Sequence, residues 1–137
     1  MGGRGEMPSG GRRYKSWELY VCIALNRLVQ ELDIDLYQPE LEDKLDQVLE
    51  DRGHGLTKFE IGNEIKSNHH MTNKVLKHME ESDMVRVESE GRSYRIYITK
   101  DGVMHARKYN EFYMMMYRDF LLDHYKYKQL PAWFKQD

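Results

Sequence analysis

The chain has 137 residues, a length typical of one domain, and apolar residues make up 40% of it, enough for a single core. Its one cysteine, Cys22, cannot form an intrachain disulfide, and the first residues contain no apolar run of the kind that a signal peptide needs. No stretch is long and apolar enough to indicate a membrane span. The sequence therefore predicts a cytoplasmic protein that makes no membrane contact.

The net charge of −2 is spread unevenly along the chain. Residues 17–53 contain three basic and ten acidic residues, whereas residues 54–137 contain fourteen basic and twelve acidic ones. The excess of acid thus lies in one segment. The total charge does not exclude a locally basic face, so a nucleic acid remains an open partner.

Residues 1–13 are rich in Gly and Arg and offer almost nothing to bury, which predicts a disordered arm. Three arginines in this arm, Arg4, Arg12 and Arg13, suit contact with a phosphate backbone or a minor groove. An inert disordered end is an equally good interpretation. The remaining residues, 14–137, are predicted to form one folded domain.

Helical periodicity predicts a first helix over residues 16–32 and a second one from Pro39 to Gly53. Thr57 is placed to cap a short third helix that buries Ile61 and Ile65. After a break at Ser67 and Asn68, apolar residues at helical spacing predict a fourth helix over residues 70–81.

Two strands follow, over residues 84–88 and 94–99, because apolar and polar residues alternate there around a turn at Gly91. A long helix is then predicted over residues 101–126. The fold class is therefore mainly α with a small β-hairpin wing (α+β). Residues 39–100 are predicted to be a winged helix-turn-helix, flanked by long terminal helices within 14–37 and 101–130.

In a helix-turn-helix, the first helix braces the second against the major groove of double-stranded DNA. Gly62 supplies the small residue that a close crossing of two helices needs. Between Glu64 and Glu80 there is no acidic residue, which suits contact with phosphates and base edges. A solvated helix face is the alternative interpretation. We expect helix 70–81 to enter the major groove.

The stretch from Thr57 to Val85 resembles, without a gap, the helix-turn-helix of ArsR- and MarR-type regulators. The chain end, with His-Tyr-Lys-Tyr followed by Pro-Ala-Trp-Phe, is similar to winged-helix proteins common in archaea. Residues after the helix-turn-helix are similar to the MarR wing signature, with Glu90 in place of its aspartate, at Glu90, Arg92, Ile98, Thr99 and Gly102. The resemblance implies a DNA-binding regulator with no enzymatic activity and no cofactor.

The residues expected to touch DNA lie in the acid-free stretch and at the tip of the wing. Insertion of Arg92 into the minor groove is what the resemblance implies, whereas an ion pair of Arg92 with Glu88 or Glu90 is the alternative. The predicted DNA-binding residues are Lys66, Asn68, His69, His70, Thr72, Asn73, Lys74, Lys77, Arg92 and Ser93.

The last helix is apolar on several sides, more than one small core covers easily. We expect a homodimer in which this helix and the first one form the interface, although packing on its own domain alone remains an alternative. The predicted dimer-interface residues are Trp17, Tyr20, Ala24, Tyr109, Tyr113, Met116 and Phe120.

The histidines offer no ligand set with metal spacing, so no metal site is predicted. The leading hypothesis is a transcription regulator that binds double-stranded DNA and is associated with the nucleoid. Two alternatives stay open: an abundant, weakly specific chromatin protein, and a winged-helix module for protein contacts. A small-molecule effector of unknown identity is a further possible partner.

Overall fold

The computed structural model describes residues 17–134, which form five α-helices and three β-strands around one core. The predicted order of elements and the winged helix-turn-helix are confirmed. Arg4, Arg12 and Arg13 lie outside the described residues. The elements are α1 (Trp17–Gln30), α2 (Leu41–Glu50), β1 (Leu56–Thr57), α3 (Lys58–Ile65), α4 (His69–Glu81), β2 (Val85–Glu90), β3 (Ser93–Ile98) and α5 (Lys100–His124).

The second helix is shorter than predicted at both ends. It begins after Glu40, whose backbone is left-handed with a φ of 59°, so Pro39 is not its first residue. It ends at Glu50, and a single 3-10 turn over Arg52–His54 contains Gly53.

The wing is the edge of a three-stranded antiparallel sheet in the order β1-β3-β2. The sequence did not predict β1, because two residues are too short to show a period of two. Leu56 of β1 pairs with Ile96 of β3, and Ile96 in turn pairs with Val87 of β2. The start of α3 is thereby attached to the middle of the wing.

Thr57 starts α3 with a complete capping box. Its hydroxyl accepts from the backbone N–H of Glu60 at 3.1 Å, and the Glu60 carboxylate accepts from the backbone N–H of Thr57 at 2.9 Å. That backbone N–H is the main reason why the pKa of Glu60 lies below its usual range. The cap fixes the position at which α3 leaves the sheet.

One core joins the terminal helices to the helix-turn-helix. A buried pair of amides lies within it: Asn26 of α1 donates to Asn110 Oδ1 of α5 at 2.9 Å, and Asn110 donates back to Asn26 Oδ1 at 2.8 Å. The largest fully buried side chains come from α1, α2, α3, α4, β3 and α5: Leu19, Ile23, Leu25, Leu28, Leu41, Leu45, Ile61, Ile65, Val75, Met79, Ile96 and Leu121.

The last helix is interrupted once. Tyr117 has non-helical angles (φ −121°, ψ 18°), and its hydroxyl donates to Glu18 at the start of α1 at 3.3 Å. The helix also passes very close to the turn between α4 and β2, since a Cβ added at Gly102 would lie 2.3 Å from the backbone oxygen of Met84. Only glycine fits at that crossing without a shift of the backbone.

Candidate nucleic-acid interface

The recognition helix α4 is capped by Asn68, whose side-chain oxygen accepts from the backbone N–H of Met71 at 2.8 Å. This cap starts the helix at His69, one residue before the predicted start. The helix turns Val75, Leu76 and Met79 into the core. Before its last turn, the polar side chains left on the surface or at its edge carry amide, imidazole and ammonium groups: His69, His70, Asn73, Lys74, Lys77 and His78. The two acids of the helix, Glu80 and Glu81, lie at its end.

The amide of Asn73 is held between two neighbours. Lys58 Nζ lies 2.6 Å from Asn73 Oδ1, and because an ammonium group can only donate, this atom is the amide oxygen. The amide nitrogen then faces His69 Nε2 at 3.1 Å, which therefore accepts. Lys58 Nζ also lies 4.7 Å from the centre of the Tyr94 ring. The network links α3, α4 and the wing.

A groove of about 460 Å³ runs between the starts of α3 and α4 and the tip of the wing. It brings Arg92 and Ser93, which are distant in sequence from α4, to the same concavity as His69. Phe59 lines the groove as well and is 76% exposed. Sequence reasoning missed Lys58, Phe59 and Tyr94. The signal for Lys58 and Phe59 was the cap at Thr57, which places both in the first turn of α3.

The acidic residues of the wing are neutralised by arginines other than Arg92. Arg52 lies 2.6 Å from Glu88, and Arg95 lies 3.0 Å from Glu90. The alternative interpretation, in which Arg92 pairs with one of these two acids, is therefore wrong. The first pair raises the pKa of Arg52, chiefly through its hydrogen bond to Glu88. Arg92 stays exposed at the mouth of the groove.

The prediction that Thr72 touches DNA is wrong. Its side chain is 3% exposed, and its hydroxyl donates to the backbone oxygen of Asn68 at 2.9 Å and lies 2.7 Å from Ser67 Oγ. A Cβ at Gly62 would lie 3.1 Å from the Thr72 hydroxyl. Thr72 is thus the residue that packs against Gly62 at the helix crossing.

Lys66 also differs from its predicted role. Its backbone is left-handed, with a φ of 55°, and ends α3. Its ammonium group donates to the backbone oxygen of His124 at the end of α5. The structure contradicts the predicted DNA contact of Lys66 and assigns this side chain to the contact between α5 and the turn.

The residues predicted for a dimer interface divide into two groups. Trp17, Tyr109, Met116 and Phe120 are between 37% and 55% exposed, and Tyr20 is half-buried. The other two, Ala24 and Tyr113, are buried within the chain, so these two predictions are wrong.

Tyr113 is buried because α1 covers that side of α5, and its hydroxyl lies 2.8 Å from His105 Nε2. Phe112 is exposed in its place, at 44%. The apolar stripe that α5 presents to solvent therefore follows Tyr109, Phe112, Met116 and Phe120 at helical spacing.

A second concavity, of about 360 Å³, lies away from α4, between α1, the loop after it, α5 and the C-terminal segment. The amides of Asn26 and Asn110 line it, together with Asp33, Asp35 and Trp133. The indole N–H of Trp133 is buried and has no hydrogen-bond partner. A small-molecule effector remains a prediction.

Within residues 17–134, no group of three or more His, Cys, Asp or Glu side chains is arranged to hold a metal ion. In the same range, no helix is long and apolar enough to cross a membrane.

No protein-family model and no curated protein sequence matches the chain. Its structure is similar to that of MepR, a transcription regulator of the Staphylococcus aureus multidrug efflux pump MepA, with 13% identity, a TM-score of 0.41, and coverage of 85% of this chain and 84% of MepR. A complex of S. aureus MepR with DNA gives 12% identity, a TM-score of 0.44 and 85% coverage of both chains. Identities this low give no basis for transferring the role of any residue.

Proposed function

We propose that the chain is a non-enzymatic transcription regulator that places α4 in the major groove of double-stranded DNA. The observation that carries this proposal is the polar face of α4: residues 65–79 contain no acid, and the amide of Asn73 lies beside Lys58 at 2.6 Å. An asparagine amide can bridge two atoms of an adenine base edge. Lysines at the same face can neutralise the flanking phosphates.

Phosphate contacts are assigned to Lys74 and Lys77, which are exposed on α4. Arg92 is assigned to the minor groove beside it, because the acids of the wing are paired with Arg52 and Arg95 and do not oppose its approach to phosphates. Repulsion of the wing by the DNA backbone is thereby reduced.

The second part of the proposal is a homodimer formed through α5, localised in the cytoplasm at the nucleoid. Its support is the exposed apolar stripe, which continues over three turns and ends with Phe120 at 37% exposure. A stripe of this kind loses its contact with water when it packs against a second copy. Two copies would present two recognition helices to one duplex.

Binding of the full chain to duplex DNA across a salt series tests the DNA-binding part. We expect affinity to fall steeply with salt, and a variant with both Lys74→Ala and Lys77→Ala to bind more weakly with a shallower slope. The matched control replaces Lys126 and Lys128, two exposed lysines beyond α5, with alanine and should bind as the parent does. Absence of duplex affinity would instead favour a protein-contact module.

Genome-wide mapping of bound sites then separates the regulator from a chromatin protein. Sharp peaks with a shared sequence are expected for a regulator. Broad coverage without preference would contradict the proposal and favour a weakly specific chromatin protein.

A further inference from the structure

Phe59 occupies an unusual place for a large apolar side chain. It lies in the first turn of α3, on the face assigned to DNA, and 76% of it is exposed. The core does not use it, and the polar phosphates of an intact duplex offer its ring no partner. Among the apolar side chains of α3, it stands apart from Ile61 and Ile65, which are fully buried.

A second aromatic ring lines the same groove. Tyr94 is 46% exposed, and Lys58 Nζ lies 4.7 Å from the centre of its ring. Two exposed rings of similar width therefore border a concavity of about 460 Å³, a size that suits one small planar group.

The charged side chains that line the groove indicate which kind of ligand it binds. The charged residues among its lining are Lys58 and Arg92, and no acidic side chain belongs to the lining within the described residues. Two acids close in sequence to the lining are occupied elsewhere: Glu60 caps α3, and Glu90 pairs with Arg95. A flat ring attached to an anionic group matches this combination of aromatic walls and cations.

We propose that this groove binds unpaired bases of single-stranded nucleic acid. A base stacks on Phe59 or Tyr94, and the phosphates beside it are bound by Lys58 and Arg92. Paired bases cannot reach the rings, because the stack of a duplex covers both faces of each base. The proposal shares its face with the proposed function but requires Phe59, which the duplex contacts of α4 do not use.

Fluorescence anisotropy with the full chain tests the proposal, with labelled twenty-nucleotide oligo-dT, oligo-U and a duplex of mixed sequence as probes. We expect micromolar or tighter binding of at least one single strand, and an affinity about tenfold lower for Phe59→Ala, as for loss of one stacked base. Phe59→Leu keeps the apolar bulk without the ring and should lose the same affinity. The duplex affinity of both variants should stay unchanged.

Tyr127→Ala is the matched control, because Tyr127 is also an exposed aromatic residue, at 85%, but lies beyond α5 and outside the stripe. It should bind every probe as the parent does. The two oligonucleotides decide between DNA and RNA as the preferred strand.

Failure of this proposal is distinguishable from failure of the proposed function. Single-strand affinity that is absent, or unchanged in Phe59→Ala, overturns it while duplex binding stands. Equal losses for single strand and duplex also overturn it, because Phe59 would then belong to the duplex interface. Saturable binding of benzoate without strand binding would assign the groove to a small aromatic anion. Single-strand binding without duplex binding would refute only the proposed function.

Discussion

Lys58 Nζ lies 2.6 Å from Asn73 Oδ1, so the first residue of α3 fixes the orientation of an amide on α4. The same amide donates to His69 Nε2. An asparagine that reads a base must present its oxygen and its nitrogen in a defined order. The order is set here before DNA arrives, which lowers the entropy lost on binding.

Replacement of Asn73 and of Lys77 by alanine should affect DNA binding in different ways. Loss of a bidentate base contact removes about 1–3 kcal/mol of discrimination, so Asn73→Ala should bind preferred and random duplexes with similar affinity. Lys77→Ala should weaken all duplexes alike and reduce the salt slope by about one. Parallel titrations over a salt series measure both. Unaltered binding in both variants would mean that α4 does not enter the groove.

Lys58→Met should reduce the sequence preference of DNA binding, as Asn73→Ala does, but to a smaller extent. Removal of the ammonium group frees the Asn73 amide to rotate, so we expect a weaker sequence preference together with a slightly smaller salt slope. Lys44→Met is the control, because Lys44 lies on α2 and hydrogen-bonds to Gln38. If Lys58→Met changes only the salt slope, Lys58 contacts phosphate and does not position Asn73.

Met116→Glu should convert the dimer to a monomer. Met116 is 55% exposed at the centre of the α5 stripe, and burial of a carboxylate there opposes association without disturbing the core. Sedimentation at micromolar concentration should give about twice the chain mass for the parent and about the chain mass for the variant. Phe59→Glu, a comparable change on α3, should stay dimeric. A monomeric parent would remove the dimer from the proposal.

Alanine at Gly102 should destabilise the protein, whereas alanine at Gly62 should change stability little. At Gly102 the new methyl would lie 2.3 Å from the backbone oxygen of Met84, a clash that costs on the order of 1–3 kcal/mol or more. At Gly62 it would lie 3.1 Å from the Thr72 hydroxyl, which is a tight contact. Its cost is offset by the higher helix propensity of alanine, which favours alanine over glycine by about 1 kcal/mol. Urea unfolding measures both, and equal losses would contradict this account of the two crossings.

The stability of the fold should decrease as the pH falls below about 6.5, in part through His105. Burial lowers the pKa of His105 in the folded chain, with the charge of Lys108 adding to the effect. Tyr113, whose hydroxyl lies 2.8 Å from His105 Nε2, stays neutral at this pH because burial raises its pKa. The unfolded chain therefore takes up a proton first. The stability that His105 contributes is complete above its pKa in the unfolded chain and is lost as the pH falls through its lower pKa in the folded chain.

His105→Gln keeps an acceptor for the Tyr113 hydroxyl but does not titrate. Its melting temperature should fall less between pH 7.5 and 5.5 than that of the parent. His54, whose pKa burial also lowers, contributes equally to both proteins. Identical decreases would show that His105 has no part in the pH dependence.

Much of the fold followed from local signals. The cap at Thr57, the small residue at Gly62 and the alternation around Ile96 and Ile98 depend on neighbours in sequence, and each predicted its element. The two-residue strand β1 gave no such signal, since its pairing partner Ile96 lies forty positions away.

The errors at the candidate site share one physical cause, which is packing between distant segments. Thr72 and Tyr113 carry hydroxyl groups, which favoured an exposed role for both, yet the rest of the chain covers them. Lys66 was grouped with α4 by sequence, although its ammonium group bonds to the end of α5. Lys58 joins the site only because β1 attaches the start of α3 to the wing.

The interruption of α5 at Tyr117 separates two parts of that helix that have different surroundings. Before it lie Tyr109, Phe112 and Met116, which make up most of the exposed stripe. Beyond it, His124 Nε2 lies 2.7 Å from the backbone oxygen of Glu64, and the Tyr125 hydroxyl donates to the Glu64 carboxylate at 2.6 Å. The tip of α5 is thus bonded directly to the end of α3 and the turn before α4. In a dimer, the angle at this single residue would set the spacing between the two recognition helices, and with it the number of base pairs that separate two half-sites.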